Sequence, residues 1–161
     1  MKTGIMDIVI VIIASIVVLV LGVVIANVKQ NNAVSSGEII PREKNFFRQC
    51  HVFTTCVPSV SELYAAMDTS VLSNRDINCT IVSDNIIRFQ KKAYGIGMTA
   101  DLTYCGTENG KHIFRYAVVS YSERDGMDAS LYDNIALTAV EKAFLRLDSA
   151  TSVERLNMSY K

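Results

Sequence analysis

The apolar run from Ile8 to Ala26 constrains this chain more than any other feature, because no charged side chain interrupts it. As a helix rising about 1.5 Å per residue it reaches roughly 28 Å, the thickness of a bilayer's hydrocarbon core. It also lacks the polar face that a helix docked on a soluble core carries. Secretory signal cores are shorter, about 7–15 residues, and end at a small-x-small cleavage site. Here Ala26 leads into Asn27, Val28 and Lys29 instead. The run therefore reads as an uncleaved single-pass transmembrane helix over 8–28, preceded by a short tail over 1–7, with the lipid bilayer as its partner. Ile and Val dominate it and are weak helix formers in water, but in lipid an unpaired backbone costs far more.

Ser15, Gly22 and Ala26 lie at spacings that place three small side chains on one stripe of this helix. Small residues let helix backbones approach closely, so the stripe is a candidate helix–helix contact and a route to a homo-oligomer. Asp7 stays at the headgroup edge of the span. Positive residues favour the cytoplasmic side, those nearest the span most strongly. Lys2 lies on one flank and Lys29 on the other, with Arg42, Lys44 and Arg48 further along. The nearest residues favour a cytoplasmic N-terminus, and a wider count favours the reverse. With no dense Lys/Arg cluster directly after the span, the reading tilts towards an extracytoplasmic domain.

Residues 29–41 are polar and small without periodicity, as in a flexible linker. Residues 42–161 then suffice for one core of ordinary size. The chain balances 16 basic against 16 acidic residues, and no basic stripe interleaved with aromatics occurs, so nucleic acid is not expected as a partner.

Within the domain, Ser59 and Glu62 form a capping box, and Val60, Leu63, Tyr64, Met67 and Val71 follow at helical spacing. A second amphipathic helix is predicted from Ser130 to Asp148, with Asp128 or Ser130 as cap and Ile135, Val140 and Phe144 on its apolar stripe. Between them the pattern alternates. Ile77, Cys79 and Ile81 share a face, then Ile87 and Phe89, then Ile96 to Tyr104, then Phe114, Tyr116 and Val118. Turn chemistry at Asp84-Asn85, Tyr94-Gly95 and Gly106 to Gly110 joins these four strands into an antiparallel meander. Leu156, Met158 and Tyr160 suggest a further strand, as does Phe47 to Thr55. The expected fold is α+β: two layers, with a meander of about four to six strands covered on one face by two helices.

Each hairpin must keep its apolar side chains on one face, so loop length predicts register. A two-residue loop at Tyr94-Gly95 sets Arg88 opposite Asp101 and Phe89 opposite Ala100. A five-residue loop from Gly106 to Gly110 sets Leu102 opposite Phe114 and Asp101 opposite Arg115. Arg88, Asp101 and Arg115 would then form a charged row on the face away from the helices, either a ladder worth a few tenths of a kcal/mol per pair or a docking face.

Cys50, Cys56, Cys79 and Cys105 form an even set that permits two disulfides in three connectivities, and reduced thiols are equally allowed. Cys79 reads as a small buried hydrophobe. Cys50, His51 and Cys56 are metal-type ligands, but there is no C-x-x-C pair and the fourth ligand is missing, so no metal or other cofactor is expected. Cys105 and His112 come close in the predicted register and are the one candidate nucleophile–base pair. Gly95-Ile96-Gly97 sits in a hairpin and reads as turn chemistry, without the rest of a phosphate-binding fingerprint. Asn78-Cys79-Thr80 and Asn157-Met158-Ser159 match the glycosylation acceptor pattern.

These readings favour a single-pass membrane-anchored interaction or assembly domain without catalysis, part of a membrane or envelope complex. The alternative is a membrane-tethered thiol-dependent enzyme or redox protein. An apolar N-terminal helix before a sheet meander resembles the layout of pilin-like subunits, and Gly4-Ile5 matches a processing site. Val9, however, stands where those helices carry a carboxylate, so no site residue carries over.

Overall fold

The computed structural model describes residues 3–43, 46–93, 96–122 and 130–157. The chain divides into two compact units, Met1–Gly37 and Glu38–Lys161. The first is a single helix, α1 (Thr3–Ser35), long and apolar enough to cross a membrane. It outlasts the apolar run, because Gln30, Asn31 and Asn32 contain no helix breaker, and it ends before Gly37 at φ 72°. The residues expected to begin a flexible tether are therefore helical through Ser35. From Glu38 the remainder of that stretch belongs to the second unit and is hydrogen-bonded there.

The second unit contains a six-stranded sheet in the order β2-β3-β4-β5-β1-β6. Its strands are β1 (Gln49–Thr55), β2 (Ile77–Ser83), β3 (Ile86–Ala93), β4 (Ile96–Glu108), β5 (Lys111–Ser122) and β6 (Ser152–Asn157). Every neighbouring pair is antiparallel. The meander spans β2 to β5, as the alternation predicts. β1 then inserts between β5 and β6, so β1 runs parallel to β2, and β5 parallel to β6. Parallel strands need a crossover, and the helices lie on those two connections. Helices α2 (Val60–Ala66) and α3 (Thr69–Ser73) join β1 to β2, while α4 (Ser130–Leu147) joins β5 to β6.

The single helix expected from Val60 to Val71 is thus two. Ser59 caps α2 by accepting from the Glu62 amide, as the capping box requires. Asp68 then caps α3 by accepting from the Ser70 amide, and Met67 is extended at φ −75° and ψ 136°. A short acceptor side chain at Asp68 competes for the helical backbone and restarts it. The helices cover one face of the sheet, where Phe53, Phe89, Phe114, Tyr116 and Phe144 are fully buried. Phe144 of α4 stacks on Phe53 at 4.6 Å between centroids and meets Phe114 edge-on at 5.2 Å. The alternation in β6 shifts from expectation: Leu156 lies 45% exposed, and Met158 and Tyr160 fall outside the described residues.

Register agrees in one hairpin and slips in the next. Arg88 pairs with Asp101 and Phe89 with Ala100. Between β4 and β5, however, Asp101 faces Ala117 and Leu102 faces Tyr116, two residues from the expected partners. The loop is only Asn109-Gly110, both at positive φ (49° and 75°), closing on the Glu108–Lys111 pair. That loop alone would set Leu102 opposite Ala117, with their strands' apolar side chains on opposite faces. An irregularity between Tyr104 and Gly106 makes Cys105 an extra residue and restores the match.

Candidate functional site

The helix-free face of the sheet carries the predicted charges in a different arrangement. Arg88 holds Asp101 with both ends of its fork, Nε to Oδ1 at 2.8 Å and the terminal nitrogen to Oδ2 at 2.7 Å. Arg115 does not join them. It faces Thr103 and Val52 across its two neighbouring strands, and its Nε donates to Cys50 Sγ at 2.9 Å. The register places Asp101, Ala117, Cys50 and Leu156 in one row, and Thr103, Arg115, Val52 and Glu154 in the next. The expected charged ladder is therefore one bidentate pair beside an apolar strip, edged by Arg115 and Glu154.

The four thiols are free and lie in different environments. Cys50 is buried under Arg115 on the helix-free face, whereas His51, its neighbour on the strand, points to the helices. Successive strand residues point to opposite faces, so Cys50, His51 and Cys56 cannot converge on a metal. Among the described residues no group of three or more His, Cys, Asp and Glu is placed to hold one. Cys56 is exposed after β1; Lys111 Nζ donates to its Sγ at 2.8 Å, and its amide donates to Asp148 Oδ2 at 2.7 Å. Burial pushes the Cys79 thiol up to about 12. Cys105 Sγ contacts the Thr103 carbonyl, while His112 Nδ1 lies 3.1 Å from the Tyr104 hydroxyl. Each candidate member of that pair is engaged elsewhere. A Cβ on Gly97 would lie 2.6 Å from Ser122 Oγ, so this glycine serves close strand packing.

In α1, Ser15 Oγ turns back to the Val11 carbonyl at 2.8 Å, and a Cβ on Gly22 would meet nothing within 4 Å. Ala26 lies in the same helix.

Between the sheet and α4 lies a buried polar cluster that the sequence pattern conceals. Arg42, 4% exposed at its side chain, grips Glu141 with two donors at 3.0 and 2.6 Å, and its Nε donates to Asn134 Oδ1 at 2.7 Å. Thr138 Oγ1 accepts from the Ile40 amide at 3.2 Å, and Asn134 Nδ2 donates to the Ile40 carbonyl at 3.0 Å. These bonds fasten the segment before β1 along α4. One turn away, the Tyr116 hydroxyl donates to Asp133 Oδ1 at 2.5 Å. Asp133 is 1% exposed, and burial raises its carboxyl to about 7 against the opposing pull of the Tyr116 hydrogen bond and of Arg42. His51 is also 1% exposed, and its ring nitrogens have no side-chain partner, only a weak interaction with the Phe46 backbone. Burial first, and the Arg42 charge second, lower it to about 4, while Glu141 pulls the other way. Asn134, Thr138 and Glu141 follow helical spacing beside the apolar stripe, a pattern that also describes a solvated flank. Only the long-range partner Arg42 distinguishes the two.

A scan against protein-family models finds no match to this chain, and neither does a search among curated proteins.

Proposed function

We propose that this chain is a single-pass membrane-anchored interaction or assembly domain, without chemistry of its own, whose partner docks on the helix-free face of the sheet. One observation carries the reading. That face places Ala117, Val52 and Leu156 near one another and sets Arg88, Asp101, Arg115 and Glu154 around them. An apolar centre with a polar, charged edge is the composition of a recognition surface, and its polar edge supplies orientation. The domain is assigned to the extracytoplasmic side, because no dense basic cluster follows the span.

A photo-crosslinking side chain in place of Ala117, in the full chain within its native membrane, tests the docking face. A discrete protein adduct that disappears on Arg88→Glu, Asp101→Lys and Arg115→Glu together is the expected result. Adduct recovery unaffected by all three reversals would remove this face from consideration. Protease added outside intact cells with a permeable outer wall should remove a tag placed after Lys161; protection until lysis would put the domain in the cytoplasm.

A further inference from the structure

The buried cluster under α4 has a property that depends on none of the surface chemistry. Among the described residues, two titratable groups lie in it with no charge of opposite sign in contact, because the cation within the cluster, Arg42, is committed to Glu141, Asn134 and Thr138. A carboxyl buried at Asp133 under a phenol is stable as the neutral acid. An imidazole buried at His51 without a charged or side-chain partner is stable as the neutral base. In the unfolded chain at mildly acidic pH both are charged.

We propose that His51 and Asp133 form a compensating pair: folding takes up a proton at Asp133 and releases one at His51, so that these two buried groups together leave the domain's stability level across the acidic range. The surrounding charges are compatible with this. Asp133 meets Tyr116 from β5 and feels Arg42 from the segment before β1; Tyr116 in turn is reached by Cys79 of β2. His51 feels Arg42, Glu141 of α4 and Arg155 of β6. Lys91 of β3 is held away, against the Arg75 carbonyl, Asp76 and the ring of Tyr132.

The signs follow from linkage. Asp133 titrates higher in the fold than in the unfolded chain, so its contribution is complete at low pH and is lost as pH rises towards about 7. His51 titrates lower in the fold, so its contribution grows as pH rises from about 4 towards its solution value of 6.5. Each group alone changes the folding constant by about tenfold per pH unit within its window, in opposite directions.

The test is urea unfolding of the full chain in detergent micelles at several pH values between roughly 4.5 and 6.3, each variant read against wild type. Asp133→Asn keeps the acceptor for Tyr116. Relative to wild type its folding constant should rise by on the order of thirtyfold across this range, and that of His51→Phe should fall by a similar factor. Parallel pH profiles for wild type and both variants would overturn the proposal. Should either variant not fold, carbon-13 titration of the wild-type side chains decides: a neutral Asp133 at pH 6 with a neutral His51 at pH 5 supports the pair. An ionised Asp133 or a charged His51 at those values refutes it.

Discussion

Replacing Arg42 by Met should be among the most damaging single changes outside the aromatic core, and the structure supplies the magnitude. Arg42 and Glu141 are 4% and 12% exposed at their side chains and are joined through both carboxylate oxygens. Without the guanidinium, Glu141 keeps most of its burial and loses both donors, which costs about 3–5 kcal/mol for a buried pair broken from one side. Asn134 loses its strongest donor as well, and the fastening of Ile40 along α4 weakens with it. Arg75 provides the control. It pairs with Glu38, but the two side chains are 32% and 23% exposed, so solvent screening limits Arg75→Met to about 1 kcal/mol or less. The double replacement Arg42→Met with Glu141→Leu removes both charges together and should recover most of the loss, because an apolar pair of similar volume needs no compensation. Urea unfolding of the full chain in micelles gives these values, and adding the single variant Glu141→Leu closes the cycle that gives the coupling directly. If Arg42→Met lies within about 1 kcal/mol of wild type, or the double variant is no better than the single, the cluster does not fasten the segment before β1.

Two further predictions concern the β4–β5 hairpin and the thiols. Gly110 sits at φ 75° with open space around an added Cβ, so Gly110→Ala should cost about 1–2 kcal/mol through backbone conformation alone, and Gly110→Asn less, by thermal unfolding; equal losses would show that packing sets the cost. Under alkylation at neutral pH with peptide mapping, exposed Cys56 and Cys105 should label in the folded chain, while buried Cys50 and half-buried Cys79, the latter pushed up to about 12, should wait for unfolding. Native labelling of Cys79 as fast as that of Cys56 would contradict the assigned positions.

The sequence by itself determines what depends on neighbours along the chain. The length and uniform hydrophobicity of Ile8 to Ala26 suffice for a helix long and apolar enough to cross a membrane, since backbone satisfaction in lipid is internal to the segment. Period-two alternation identifies the meander, and a two-residue connection between β3 and β4 sets Arg88 against Asp101. The capping box at Ser59 marks the start of α2. Local chemistry also carried the tighter turn at Asn109-Gly110, an asparagine–glycine pair suited to two positive φ angles.

The tertiary structure alone decides the rest. The insertion of β1 between β5 and β6 rests on pairings between strands far apart in sequence. The extra residue at Cys105 is there because two apolar faces must coincide across a loop that would otherwise misalign them. Arg115 leaves the charged row because the connection closes in two residues instead of five, and it meets Cys50. The buried cluster forms because Arg42 reaches Glu141 across 99 residues of chain, which turns a polar helix flank into an interior. His51 stands out in the sequence only as a metal-type ligand beside Cys50, and Asp133 not at all; their burial, which favours the neutral form of each, is a property of the assembled layers.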